Sequence, residues 1–284
     1  MTVTQGTANP ADRKLYQLRS ATGAIESIPL IVASIASKQL TFPVHRLLLD
    51  VRVGSGAFLK TQSEGTRVGQ EVSTLVRGAG IGCFYTLTQT TQPSGAAIGN
   101  ALEVQEAIAV MGGPARGWEP RALAEQRLLA VDFFAKLMAA EFASRSAAEW
   151  SDFAFEGFQS GAVLGSFAEL LKTHGVSGST VTNLLRDPTT TLAIPSDPLT
   201  VQSAIAGTLR SLDQPKLGEI VNRILGAGGN EFEGRFDPRG GMVLCARVGD
   251  LVQVGLPLCR VFSSREVPPA TLTDIAACFV IEPD

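Results

Sequence analysis

The sequence has no strong excess of charge of either sign. Its 24 Lys and Arg residues against 27 Asp and Glu leave a formal net charge of −3 over 284 residues. Neither the basic patch of a nucleic-acid-binding protein nor the like-charged run of a disordered tail is present. Charged residues make up only 18 % of the chain, below the roughly 25 % of an average soluble protein. This shortage indicates a surface partly buried against a partner that is not nucleic acid.

Long apolar runs are also missing. Residues 28–35 form one of the longest, and they fall well below the ~20 residues that a helix needs to cross a bilayer. Residues 1–10 are polar and lack the apolar stretch of a secretory signal. We therefore expect a cytoplasmic protein that has no association with membranes.

Metal-binding and disulfide patterns are scarce as well. The chain contains only 2 histidines, which excludes a His-rich metal site. Its cysteines are widely separated, form no CxxC pair and lie among apolar neighbours, so buried free thiols are favoured over disulfides or zinc ligands. These cysteines are Cys83, Cys245, Cys259 and Cys278.

The hydrophobic residues that make up 45 % of the chain follow the pattern of an α/β protein in its first half. Asn9 and Pro10 are expected to begin one helix, and Ser27 to cap a second that ends near residue 40. Residues 47–53 read as a buried parallel strand that runs into a glycine-rich loop. A helix over residues 63–79 and a strand over 83–87 follow, and this order predicts a parallel sheet.

The pattern changes along the second half. Helices are predicted over residues 100–110 and 121–142. Asp187-Pro188 and the threonines after it mark a boundary, beyond which short strands surround a turn at Val248-Gly249-Asp250. The sequence therefore predicts three parts: a helical segment (1–42), an α/β domain (43–188) and a β-rich α+β module (189–284).

Five segments carry a resemblance when they are taken together. They are residues 15–31, 33–38, 49–58 (LDVRVGSGAF), 92–104 and 248–258. In this order they resemble the pyrimidine-nucleoside phosphorylase and thymidine phosphorylase family, over nearly the whole chain. The resemblance implies that residues 1–42 are a remnant of the family's small α-domain and that residues 189–284 form a hammerhead-like module.

The family's N-terminal third has no counterpart in these residues. In the family it carries the glycine-rich loop that cradles phosphate, and no Lys-x-Ser followed by Gly-Gly occurs here. Gly54-Ser55-Gly56 is the only glycine-rich loop after a strand, and the family uses it structurally. We therefore expect no phosphate-binding residue in this chain, and a small partner subunit that supplies that part.

The resemblance assigns binding of the pyrimidine base to Arg19, Ser34 and Lys38. Ser34 and Lys38 are four residues apart and share one helix face. Arg and Lys donate to the carbonyl oxygens of a pyrimidine-dione, and a Ser hydroxyl pairs with its ring N–H. Because negative charge flows onto the base when the glycosidic bond breaks, Arg19 and Lys38 are also the candidate catalytic residues. The alternative is that both are surface cations and that Ser34 is an ordinary helix serine.

Glu103 is the one candidate metal ligand. It lies in a motif, residues 99–103, that some relatives use near a cation site. A solvated or helix-capping carboxylate is the alternative. The resemblance implies no other cofactor, and phosphate would be a co-substrate whose site the partner supplies.

Three functions remain open at this point. The first is a split phosphorylase, completed by the partner, that converts a pyrimidine nucleoside and phosphate into base and sugar 1-phosphate. Residues 88–92 depart from the family pattern, which leaves open a repurposed enzyme that keeps the base pocket and needs no phosphate. The third is a non-catalytic binding subunit. Homodimerisation is compatible with all three.

Overall fold

A computed structural model of the chain describes residues 10–41, 43–226 and 237–283. The chain divides into two compact units, one of residues 1–90 and 133–151, the other of residues 91–132 and 152–284. These units do not follow the three predicted parts of the sequence, whose boundaries stay a prediction.

The first unit is built on a pair of parallel strands. Its elements are α1 (Pro10–Ala21), α2 (Ile28–Gln39), β1 (Arg46–Val53), α3 (Gln62–Gly78) and β2 (Gly82–Gln89). β1 and β2 pair in parallel, from Arg46 opposite Gly82 to Val53 opposite Gln89. The predicted α/β arrangement is therefore confirmed at this point of the chain.

The N-termini of the helices in this unit differ in their capping hydrogen bonds. Ser27 occupies the N-cap position of α2, as predicted, but its side chain makes no capping hydrogen bond. Thr61 caps α3 and accepts from the Glu64 N–H, while the Glu64 carboxylate accepts from the Thr61 N–H, which is a complete capping box. Asn9, the predicted cap of α1, lies outside the described residues.

Apolar residues of α2, β1 and α3 form the core of this unit. β1 presents Val51 and Val53 to one face, and α3 presents buried valines at helical spacing. The fully buried valines of this core are Val53, Val68, Val72 and Val76. In this core α2 packs against α3, and α3 packs against both strands.

The second unit combines helices with two small antiparallel sheets. The unit boundary falls within α5 and α6. The elements after β2 are β3 (Ala97–Ile98), α4 (Asn100–Val110), α5 (Pro120–Glu141), α6 (Ala147–Gln159), α7 (Ala162–Thr173), α8 (Gly178–Arg186), α9 (Pro188–Thr191), β4 (Leu199–Gln202), β5 (Gly207–Leu212), α10 (Gln214–Arg223), β6 (Gly241–Leu244), β7 (Leu251–Val252), β8 (Pro257–Phe262), α11 (Pro269–Ala277) and β9 (Phe279–Glu282).

The strands of this unit form two separate sheets. One sheet has the order β3-β6-β8-β4, and the other has the order β7-β5-β9. The pairs in both sheets are antiparallel. The short strands predicted around the Gly-Asp turn are therefore present, whereas the hammerhead-like arrangement stays an expectation.

The cysteines are free, as predicted, and three of them are buried, while Cys245 is half-buried. Burial raises the pKa of the Cys259 thiol to about 12 and that of Cys278 to about 11. Both thiols are therefore protonated at neutral pH and behave as small apolar groups. Among the described residues, no helix combines the length and the apolar content that a bilayer crossing requires.

Two buried charged residues hold the segment before α4 in place, and the sequence analysis identified neither. Glu106 is 4 % exposed and accepts from the N–H groups of Ala96 at 2.7 Å and Ala97 at 3.2 Å. Arg247 is also buried and donates to the carbonyls of Pro93 at 3.2 Å and Gly95 at 3.4 Å. Side chains here satisfy backbone groups that no strand partner reaches.

Replacement of Glu106 tests this arrangement. Glu106→Ala leaves two buried N–H groups without an acceptor, so we expect the free energy of unfolding to fall by about 2–4 kcal/mol. Glu106→Gln keeps one acceptor oxygen and should lose about half as much. Urea denaturation followed by circular dichroism measures both, and equal losses for the two variants would contradict the interpretation.

Candidate functional site

Arg19, on the last turn of α1, is buried beneath the loop that joins α1 to α2. Its side chain is 7 % exposed. Its Nε donates to the carbonyl of Ala24 at 3.5 Å and its Nη1 to that of Leu30 at 3.4 Å. Its Nη2 donates to the carbonyl of Ile25. The interpretation of Arg19 as a surface cation is therefore wrong, because the loop folds over the guanidinium and supplies it with acceptors.

Ser34 and Lys38 lie one turn apart on α2, as their spacing predicts. Lys38 Nζ donates to Ser34 Oγ at 3.1 Å. Both residues are half-buried. The bond places the ammonium beside the hydroxyl, so the two groups present a donor-rich patch on one face of the helix.

A cavity of about 200 Å³ brings Arg19 and Ser34 together. The remaining lining residues are Ala11, Leu15, Leu30, Ala33 and Ser37. Lys38 does not line this cavity. Its Nζ is hydrogen-bonded to Ser34 Oγ, and Ser34 does line the cavity. The cavity thus combines apolar walls with one buried cation and one hydroxyl, and the role of the three residues in binding stays a prediction.

The glycine-rich loop after β1 uses its own N–H groups. Gly54 N–H donates to the carbonyl of Leu59 at 2.9 Å, and Gly56 N–H donates to that of Thr90 at 3.1 Å. Gly54 has φ +124°, and a Cβ there would lie 3.0 Å from the Thr90 carbonyl oxygen. Gly54 therefore permits a close backbone approach, and the N–H groups of both glycines are bonded to carbonyls of the same unit instead of being directed at an anion.

Lys60 and Glu64 form hydrogen bonds with the backbone of residues 55–61. The sequence analysis identified neither residue. Lys60 Nζ donates to the carbonyls of Ser55 at 3.3 Å and Ala57 at 2.7 Å. Backbone hydrogen bonds from Thr61 and Lys60 hold the pKa of the Glu64 carboxyl below its usual range. The Thr-x-x-Glu spacing, which is the sequence signature of a capping box, was available to find Glu64.

Glu103 belongs to the second unit and caps α4. Its Oε1 accepts from the Gly99 N–H at 3.1 Å. This bond supports the helix-capping alternative, while its role as a cation ligand stays a prediction. Among the described residues no group of three or more His, Cys, Asp and Glu side chains is placed to hold a metal ion.

Comparison with known proteins agrees with the resemblance seen in the motifs. Residues 208–282 match the pyrimidine nucleoside phosphorylase C-terminal domain. Over 261 residues the chain is 31 % identical to the pyrimidine-nucleoside phosphorylase of Staphylococcus haemolyticus (strain JCSC1435). The matched region covers 92 % of this chain and 57 % of the relative. The chain is 32 % identical over 262 residues to the pyrimidine-nucleoside phosphorylase of Bacillus subtilis (strain 168), with the same coverage. The chain thus spans little more than half the length of these relatives.

The acid dependence of stability tests the capping box at the start of α3. Because the folded pKa of Glu64 is lowered, its contribution is complete above the ordinary value of 4.5 and is lost as the pH falls through the folded pKa. The difference in Tm between the wild type and Glu64→Gln should therefore be constant near neutral pH and shrink below about pH 4.5.

Thermal denaturation at several pH values between about pH 3 and pH 7 measures this difference. Glu71→Gln, on the same helix, controls for the removal of one exposed carboxylate. A difference that persists unchanged at the lowest pH would contradict the assignment to Glu64.

Proposed function

Because this chain is related to pyrimidine-nucleoside phosphorylases over 92 % of its length, we propose that it is the larger part of a phosphorylase of that type. It binds the base of a pyrimidine nucleoside, and a partner subunit supplies the phosphate-binding loop. The products are the free base and a sugar 1-phosphate. The observation that carries the proposal is the cavity that the buried Arg19 lines together with Ser34, whose Oγ accepts a hydrogen bond from Lys38 Nζ.

The polar groups at this cavity match the base. A pyrimidine-dione has two carbonyl oxygens that accept hydrogen bonds and one N–H that donates one. Arg19 and Lys38 are donors for the carbonyls, and Ser34 Oγ is an acceptor for the N–H. Arg19 is held by three backbone carbonyls, so its orientation is established before any ligand arrives.

These cations also account for catalysis. In phosphorolysis an oxygen of phosphate forms a bond to the anomeric carbon of the sugar while the bond from that carbon to the base nitrogen breaks. The electron pair of the broken bond stays on the base, whose carbonyl oxygens take up the negative charge until the base gains a proton. Fixed positive groups directed at those oxygens lower the barrier, because the charge develops in the transition state.

The phosphate site is assigned to the partner subunit. In the first unit, the N–H groups of Gly54 and Gly56 are bonded to carbonyls of the same unit, so this loop does not offer the set of free N–H donors that cradles a phosphate. The low proportion of charged residues supports a surface that is buried in an assembly.

Replacement of Lys38 tests the catalytic assignment. In the complete assembly, Lys38→Gln should lower kcat/KM for phosphate-dependent release of uracil or thymine by about 100-fold or more, because a charge that stabilises the departing base is lost. The matched control is Lys172→Gln on α7, which removes an exposed ammonium and should leave the rate within about twofold.

Two outcomes would redirect the assignment. Base release by the purified chain without phosphate would show a repurposed enzyme instead of a phosphorylase. An Arg19→Ala assembly with unchanged activity would show a non-catalytic binding subunit. Since Arg19 also holds the α1–α2 loop, its Tm is measured alongside, and a loss of activity counts only where the variant stays folded at the assay temperature.

A further inference from the structure

β1 has the sequence of a central strand and the surroundings of an edge strand. Its residues 47–49 are three consecutive leucines, a pattern typical of a strand buried on both faces. All three leucines are only half-buried. Within the described residues β2 is the only strand that pairs along β1. A two-stranded parallel sheet with apolar faces is unusual by itself.

The hydrogen-bond pattern shows which backbone groups lie at the open edge. Gly82 N–H donates to the carbonyl of His45 at 2.9 Å, and Thr90 N–H donates to that of Val53 at 2.7 Å. Odd-numbered residues of β1 therefore bond to β2, and alternation directs the N–H and C=O groups of Leu48 and Asp50 to the opposite edge. At the end of this edge, Leu59 forms an isolated parallel bridge with Val53.

A cavity of about 400 Å³ runs along this edge. Four consecutive residues of β1, 49–52, line it. Because neighbouring residues of a strand point to opposite faces, a cavity that contacts all four lies at the edge of the strand. Its other walls are apolar side chains of α2, of α3 and of the loop that follows β1. The two charged residues in the wall, Asp50 and Arg52, pair with each other at 2.9 Å.

We propose that this edge of β1 receives an extended, uncharged apolar strand of the partner subunit, which runs parallel to β1. The inference rests on the proposed function and specifies how the partner binds. The partner's strand bonds to the outward N–H and C=O groups of Leu48 and Asp50, and its side chains fill the cavity between α2 and α3. Its carboxyl end then lies beside the glycine-rich loop, at the edge of the sheet where α/β proteins bind ligands.

Two other occupants fit the edge less well. A second copy of this chain brings its own α2 and α3 with its β1, since these helices pack against that strand, whereas the cavity accepts a bare strand. Residues 1–9 (MTVTQGTAN) contain no apolar run to fill an apolar cavity. The relatives, by contrast, have 43 % of their length outside the matched region, from coverage of 57 %.

Hydrogen exchange at single-residue resolution tests the docking. The chain is purified alone and, with a tag, as the complex formed in its native host, and intact mass gives the composition of each. In the isolated chain the amides of Leu48 and Asp50 should exchange freely, while those of Leu49 and Val51, bonded to β2, are protected. In the complex, Leu48 and Asp50 should gain about tenfold protection or more.

A proline variant provides the second measurement. Leu48→Pro removes an N–H that β2 does not use, so the pairing of β1 with β2 is retained. It should weaken the complex by about tenfold or more. Leu48→Val, which retains the N–H, is the matched control and should stay within about threefold. Circular dichroism of the isolated variants establishes that both fold, and if Leu48→Pro does not, the amide exchange of the wild type decides.

The outcomes separate this inference from the proposed function. Amide protection in a complex that lacks phosphorolysis supports the strand docking and overturns the proposed function. Phosphorolysis by a complex in which Leu48 and Asp50 stay unprotected overturns the docking alone. Protection in an assembly that contains only this chain overturns it in favour of a second copy, and a chain that is purified without any partner overturns it as well.

Discussion

The parallel ladder between β1 and β2 is the constraint on which the first unit depends. Its direction brings Val53 and Gln89 to the same end of the sheet. The glycine-rich loop begins there, and its short approach to Thr90 is possible because Gly54 has no side chain. α2 packs against α3, which in turn packs against both strands. The strand pair therefore positions the helix that carries Ser34 and Lys38 through α3.

Buried charges perform the same structural task in both units. Arg19 satisfies carbonyls of the α1–α2 loop, and Glu106 satisfies N–H groups of the segment before α4. A loop has no ladder partner for its polar backbone groups, so a side chain of the complementary type supplies one. For Arg19 this structural role is compatible with the proposed binding of a base, because hydrogen bonds to backbone carbonyls restrict the orientation of the guanidinium.

Local patterns predicted much of the secondary structure. The strand over residues 47–53 and the helix over 63–79 correspond to β1 and α3, and the long helix over 121–142 corresponds to α5 (Pro120–Glu141). Motif order made Arg19, Ser34 and Lys38 the candidate site residues, and α2 brings the last two into contact. Arg247 and Lys60 were missed, because their partners are backbone carbonyls whose positions no local pattern reveals.

The sequence by itself determined the alternation of helix and strand, the free cysteines and the resemblance to phosphorylases, since periodicity and motif order are properties of neighbouring residues. Only the tertiary structure decided that Arg19 is buried, that the Gly54 and Gly56 N–H groups are bonded within the first unit, and that β2 alone pairs along β1 among the described residues. Each of these depends on which backbone groups meet in space. Burial and pairing depend on contacts between distant segments, so the sequence of residues 47–49 predicted a buried strand, whereas these leucines are half-buried in the structure.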